Sequence, residues 1–245
     1  MNGNQDHVLF ADMAAKMPRT RRERSGSLTG RLASLWKQWR SPELDLTPYR
    51  LLAMQLHYDL PREEQTRSVL LVTPDSSPSS GWAGVALGRC LAEELRQNVL
   101  RVDACPRAPE LSRMLGVEDQ RGLGDLLSGG SASLADYVLK TSTEYLGVLP
   151  AGTTPESARL EQLQPLMEAA QARNDFVIFT GGSVLSDPFA LGLAPHVGCV
   201  LLLAVENETK VEDLDAAQDA LSYCRARRVG LVLTRPMREG KRSGS

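Results

Sequence analysis

The sequence is poor in the residues from which metal sites and disulfide frameworks are built. Four cysteines (Cys90, Cys105, Cys199, Cys224) and three histidines (His7, His57, His196) are scattered over 245 residues. No two cysteines form a Cys-x-x-Cys pair, which argues for reduced thiols and against a zinc site or disulfide scaffold. No apolar run approaches the roughly 20 residues that cross a bilayer; the longest candidate is Val200 to Val205. The opening MNGNQDHVLFADMAAK lacks a charged-then-apolar signal pattern, so a cytoplasmic chain is expected.

Charge is unevenly spread along the chain. Residues 16–40 hold eight basic side chains, Arg31, Lys37 and Arg40 among them, against the single acid Glu23. The net charge is −2, so an acidic remainder carries a basic arm. Residues 1–27, polar and basic, read as largely disordered. Residues 28–40 place Leu28, Leu32, Leu35, Trp36 and Trp39 on one helical face, with Arg31, Lys37 and Arg40 off it. Ser41-Pro42 ends that pattern, and residues 1–45 are assigned to the arm. A second helix starts near Pro48 and carries Leu51, Leu52 and Leu56.

From Ser68 the pattern changes. Apolar runs at Val69–Thr73, Val99–Asp103, Tyr145–Leu149, Phe176–Thr180, Cys199–Val205 and Val229–Thr234 predict strands. Amphipathic stretches at Trp82–Arg96, Pro109–Leu115, Pro155–Ala172 and Lys210–Ala226 predict helices. Continuous Val/Leu/Ile runs without alternation fit strands buried on both faces. Residues 46–245 are therefore expected to form an α/β domain, a doubly wound, mostly parallel sheet flanked by helices. In such sheets ligands bind at the carboxyl ends of strands.

The first strand–loop–helix unit, Thr73-Pro-Asp-Ser-Ser-Pro-Ser-Ser-Gly-Trp-Ala-Gly-Val-Ala86, stands where a phosphate loop would stand. Gly81 and Gly84 could let backbone amides approach a phosphate, and a helix terminus follows. The lysine and magnesium-binding hydroxyl that such a loop needs are absent; Gly84 and Val85 are read at their places. By itself the stretch reads better as a Ser/Pro-rich surface turn. Asp103, closing its strand, reads equally as a metal or water-positioning acid and as a capping or turn aspartate. Where an acid would close the Val-Ile strand, Phe179 is read; Asp187 lies farther along.

The order of motifs from about Pro48 to Thr234 resembles the bacterial tyrosine kinases of capsule and exopolysaccharide export, within the deviant-P-loop group that includes Min-type and partition ATPases. The residues that carry the resemblance are Tyr49-Arg50-Leu51-Leu52-Ala53, Ser80-Gly81-Trp82-Ala83-Gly84-Val85, Asp103-Ala-Cys-Pro-Arg-Ala-Pro109, Gly122-Leu-Gly-Asp-Leu-Leu127, Leu149-Pro-Ala-Gly-Thr-Thr-Pro155 and Asp175-Phe-Val-Ile-Phe-Thr-Gly-Gly182. Ala194-Pro195 ahead of Val200–Leu203, and Gly230-Leu-Val-Leu-Thr234, complete the series. The family's ring-forming helix has an acid and two arginines; here those positions read Thr47, Arg50 and Ala53.

The departures imply a degenerate member. The loop lysine and hydroxyl are missing, the second acid of the Asp-x-Asp strand end is Cys105, and Lys241-Arg-Ser-Gly-Ser245 offers no tyrosine cluster. Phosphoryl transfer depends on fixed charge around the phosphates, and one lost contact of this kind costs about 3 kcal/mol. The resemblance thus implies a pseudokinase or pseudo-ATPase, with Gly81, Gly84 and Asp103 as its remnant nucleotide site. No cofactor is expected, although weak ATP or ADP binding stays open. The alternative is an active deviant ATPase in which Arg89, Arg107 or a partner's residue replaces the lysine. A third reading is a purely structural module using Trp82 for protein contacts.

The partners implied are a membrane polysaccharide co-polymerase or a related kinase of the export machinery, at the inner face of the cell membrane, and a homo-oligomer is compatible. Trp36, Trp39, Arg31, Lys37, Arg40 and Arg50 are the candidate contacts. An anionic membrane surface, a groove on a partner and the chain's own domain are all open to the arm. Nucleic acid is not expected, because the tryptophans share a face with leucines instead of interleaving with the basic side chains.

Overall fold

In the computed structural model, residues 8–10, 46–60, 67–75, 79–128, 133–153 and 162–234 are described. The amphipathic helix expected over residues 28–40 lies outside them. So do Arg31, Trp36, Lys37, Trp39 and Arg40, and the first part of the helix expected over Pro155–Ala172.

The elements run β1 (Val8–Phe10), α1 (Thr47–Asp59), β2 (Ser68–Thr73), α2 (Ser79–Arg89, continued by a wider π-helical turn, Cys90–Glu94), β3 (Val99–Asp103), α3 (Glu110–Met114), α4 (Leu123–Leu127) and α5 (Leu134–Tyr137). They continue with β4 (Leu139–Lys140), β5 (Leu146–Leu149), α6 (Leu163–Gln171), β6 (Phe176–Ser183), α7 (Pro188–Leu193), a 3-10 turn (Ala194–His196), β7 (Cys199–Val205), α8 (Val211–Tyr223) and β8 (Val229–Thr234). One eight-stranded sheet results, in the order β1-β8-β7-β2-β6-β3-β5-β4. Every pairing is parallel except β4 with β5.

The expected α/β fold is therefore present, and its strands explain their own composition. Val69 and Leu71 of β2 join a core with Tyr49, Leu52 and Leu56 of α1 and Leu87 of α2. Leu70 and Val72 join a second core on the other face, with Leu127 of α4, Leu163 of α6, Leu193 of α7 and Leu221 of α8. A strand covered on both faces needs an apolar side chain at every position, which is why no alternation shows in the sequence. Pro48 stands in the first turn of α1, where its missing N–H costs no helical bond.

Two expectations change. Residues 1–27 were read as largely disordered, yet Val8–Phe10 pair in parallel with Leu231–Leu233 at the sheet edge. Three apolar residues in a polar stretch are too short a run to carry a periodic signal. The helix expected from Trp82 begins at Ser79, because polar residues at a helix start leave no trace in a hydrophobic pattern.

Two quoted motifs have a shared structural role. The Asp125 carboxylate accepts from Gly122 N–H (2.8 Å), Thr153 N–H (3.2 Å) and Thr153 Oγ1 (3.1 Å), tying the start of α4 to the loop after β5. Gly152 has φ +72, the left-handed region that favours glycine. A Cβ on Gly122 would stand 1.9 Å from the Pro150 carbonyl oxygen, and backbone cannot retreat as a side-chain tip can. Gly122→Ala is accordingly expected to destabilise the fold by about 2–3 kcal/mol. A lowered urea midpoint at unchanged m-value would show it; an unchanged midpoint would contradict this packing.

Candidate functional site

The carboxyl ends of β2, β3 and β6 open into one cavity of about 440 Å³. It lies where the chain, having moved from β2 outward to β3 and β5, returns through β6 and then crosses to the other side of β2 as β7. Such a reversal leaves a crevice at the strand ends. Thr73, Asp103 and Thr180–Ser183 bring the three strand ends to its wall, and Ser80 brings the first turn of α2.

The first turn of a helix leaves backbone N–H groups without helical acceptors and carries partial positive charge. In α2 an acceptor is supplied from within the chain. Gly81 N–H donates to Glu110 Oε2 at 2.9 Å, and Ser80 Oγ lies 3.3 Å from the same oxygen. Ser80 has one hydroxyl proton and a shorter contact, 2.9 Å, to the Gly181 carbonyl. The Glu110 carboxylate is thus held mainly by one backbone amide. Its other oxygen, Oε1, is buried with no hydrogen-bond partner among the described residues. Burial pushes the Glu110 carboxyl up to about 7, against the lowering effect of the Gly81 and Ser80 contacts; Asp103 adds to the rise and Arg113 opposes it.

Asp103 is fully buried and fully engaged. Its Oδ1 accepts from Cys105 N–H (3.2 Å), and its Oδ2 accepts from Ser112 N–H and Ser112 Oγ, both at 2.7 Å. Ser112 Oγ in turn accepts from Ala151 N–H (3.0 Å). The aspartate therefore fastens α3 and the loop after β5 to the end of β3. Burial raises its carboxyl to about 6 despite these bonds. Burial likewise raises the Cys105 thiol to about 11, so no thiolate is available at neutral pH.

Of the three remnant-site residues, Gly81 and Asp103 come together around Glu110, whereas Gly84 does not join them. Gly84 is inside α2, and a Cβ there would meet Thr180 Oγ1 at 2.5 Å and Leu71 at 3.6 Å. Val85 faces the core. The lysine and hydroxyl places read at Gly84 and Val85 thus point into sheet packing, because the helix starts earlier than the apolar pattern suggests. The position read at Phe179 also shifts by one. Phe179 is buried in the core of the opposite face, while Thr180 lines the cavity, as strand alternation requires.

Trp82 is buried with its ring edge-on to Tyr49, centroids 6.5 Å apart, so it is not the exposed contact that the structural-module reading required. Arg89 pairs with Glu93 (2.8 Å) at the far end of α2, whereas Arg107 lines the cavity. Asp187, set aside in the sequence as too distant, also lines it and caps α7 by accepting from Phe189 N–H (3.0 Å). Arg50 pairs with Glu94 at 2.6 Å and remains half exposed. Glu110 and Arg113 were not singled out from sequence. An acid after Pro109 reads as an ordinary first-turn residue, and nothing local announces that its side chain ends on another helix.

A magnesium nucleotide does not fit this arrangement as it stands. The α2 amide that would face a phosphate holds a carboxylate, both Asp103 oxygens serve the backbone and Ser112, and Thr180 stands at the end of the Val-Ile strand. Among the described residues no group of three or more His, Cys, Asp or Glu side chains could hold a metal ion. No helix among them is long and apolar enough to cross a membrane.

The raised carboxyls have a sign that can be checked. Folded values of about 7 for Glu110 and 6 for Asp103 exceed the ordinary 4.5 and 3.8. The folded chain therefore keeps protons that the unfolded chain has released. The associated stability is complete below the ordinary values and is lost as pH rises through 6 and 7. Glu110→Gln should flatten this decline, gaining on the order of 2 kcal/mol relative to the parent between pH 4.5 and 8. Urea unfolding across that range measures it, and parallel pH profiles for the two proteins would contradict the assignment.

No protein-family model matches the sequence, and no curated protein sequence does. Solved structures do match. The kinase domain of Escherichia coli tyrosine kinase Etk aligns with TM-score 0.75 at 18% identity, covering 98% of this chain and 93% of that one. The BceF tyrosine kinase domain gives 0.69 at 21%, covering 94% of each. The septum site-determining protein MinD of Pyrococcus horikoshii OT3, complexed with Mg-ADP, gives 0.59 at 22%, covering 69% of this chain and 70% of that one. At these identities the likeness establishes architecture, and the chain has the fold shared by bacterial tyrosine kinase domains and MinD-type P-loop ATPases.

Proposed function

We propose that this protein is a catalytically degenerate tyrosine-kinase-like scaffold or regulator of capsule or exopolysaccharide export, docking on a membrane co-polymerase or a related kinase. The observation that carries the proposal is the Glu110 carboxylate on Gly81 N–H, at the helix terminus where this fold would receive a phosphate. A carboxylate there repels a nucleotide's phosphates and takes the amide they need. The loop also has no lysine, and Asp103 is engaged by the backbone and Ser112, so two of the charged groups on which phosphoryl transfer relies are not on offer.

A binding role draws support from α1. Tyr49, Leu52 and Leu56 face the core, while Leu51, Met54 and Tyr58 on the other side are 63%, 41% and 75% exposed. Positions 51, 54 and 58 follow helical spacing and form one apolar stripe, the kind of face a protein partner covers. Arg50, paired with Glu94, borders it. The basic arm of residues 1–45 adds a second attachment element, directed at the partner or at the anionic inner face of the membrane.

The active-ATPase reading has one observation on its side, the presence of Arg107 and Arg113 at the cavity. Incubation of the purified protein with magnesium and radiolabelled ATP separates the two. The scaffold reading expects no phosphotyrosine and no phosphate release above the buffer blank. Magnesium-dependent autophosphorylation that is lost on Arg113→Ala would overturn it in favour of the active enzyme.

A further inference from the structure

The exposed side of α1 is one half of a helix–helix seam. Thr47, Leu51, Met54 and Tyr58 are exposed and stand four, three and four residues apart, the a/d spacing of a packed helix pair. The other side of α1, through Tyr49, Leu52, Ala53 and Leu56, is buried against the core. Leu51, Met54 and Tyr58 belong to neither core, and no facing helix covers them among the described residues.

The sequence holds the complementary half. Leu28, Leu32, Leu35 and Trp39 repeat the steps of four, three and four. Only residues 41–45, Ser-Pro-Glu-Leu-Asp, separate that stretch from the buried Leu46 that opens α1. A connection of this length joins antiparallel helices. Folding about Glu43, its midpoint, sets Leu28 opposite Tyr58, Leu32 opposite Met54, Leu35 opposite Leu51 and Trp39 opposite Thr47. Every seam position then has a partner and none is left over. Arg31, Lys37 and Arg40 stay off the seam, as do Arg50 and Gln55 of α1.

Size decides between this occupant and a separate molecule. A stable protein–protein interface takes on the order of 800 Å² and roughly 20–30 residues from each partner. The stripe offers three large side chains, so a second copy or a free peptide would need further contacts around it. A segment tethered through so short a connection needs none, because its effective concentration is about millimolar.

We propose that residues 28–40 pack on α1 as the first arm of an antiparallel helical hairpin and are the resident cover of the Leu51–Met54–Tyr58 stripe. The hairpin stands on the two matching spacings and the connection between them. Its consequence for regulation rests on the reading above that the stripe is a docking face: a partner that uses α1 must displace the segment. The segment is then an internal competitor, its leucines and Trp39 engaged on α1 until a partner frees them.

The test is disulfide trapping in the full-length protein carrying Cys224→Ser, which removes the one cysteine that is not buried. Leu32→Cys with Met54→Cys should cross-link within one chain ~10-fold faster than Ser34→Cys with Met54→Cys, although Ser34 is nearer to Met54 along the chain, because Ser34 is off the seam. Limited trypsin digestion reads the same contact without added cysteines. Cleavage after Arg31, Lys37 and Arg40 should rise ~10-fold in Leu51→Asp, as the open form becomes populated. Leu51 is exposed, so that substitution leaves the core in place. Equal trapping rates for the two pairs, or cross-links found only between chains, overturn the hairpin. An unchanged cleavage rate in Leu51→Asp does so as well. None of these results touches the scaffold reading, which fails only if phosphate is transferred or released from ATP.

Discussion

One hydrogen bond, from the Gly81 amide to the Glu110 carboxylate, connects the two halves of this molecule's chemistry. On one side is the N-terminus of α2, a concentration of unpaired donors that the fold cannot avoid presenting at the end of β2. On the other is α3, a five-residue helix whose place is fixed by Asp103 through Ser112. The sheet brings β2 and β3 to the same edge of the cavity with β6 between them. Any acid near the start of α3 is therefore delivered to the start of α2. The internal carboxylate supplies the acceptor that a bound anion would supply in a site of the same shape.

That substitution makes sense of the cavity's other residues. Asp103 serves as a strut because both of its oxygens are given to the backbone and to Ser112. Gly84 is small so that α2 can lie against Thr180 and Leu71. Gly88 yields to Arg101 in the same way, since a Cβ there would stand 2.7 Å from the arginine's Cδ. Of the two glycines read in the sequence as phosphate-loop remnants, Gly84 thus serves helix-on-sheet packing, while Gly81 donates its amide to a carboxylate.

Much of the fold was legible because burial on both faces writes itself into composition. The strands Val99–Asp103, Cys199–Val205 and Val229–Thr234 have the bounds that their apolar runs suggest. β6 runs on past its apolar run through Gly181, Gly182 and Ser183, polar residues kept in the sheet by strand pairing and not by hydrophobic pattern. The site was harder to read. Its former loop could be located between β2 and α2, but Gly81 and Glu110 are 29 positions apart, and no periodicity links them. Reading Phe179 where Thr180 faces the cavity shows how a single step along a strand exchanges core for site.

The account turns on whether Glu110 and the α2 terminus form one electrostatic unit. The direct measurement is a pH titration by NMR of the Glu110 side-chain carboxyl carbon and the Gly81 amide nitrogen in the same sample. The account predicts a shared midpoint near 7, well above the ordinary glutamate value of 4.5. A Glu110 midpoint near 4.5 with a Gly81 amide indifferent to it would contradict the account.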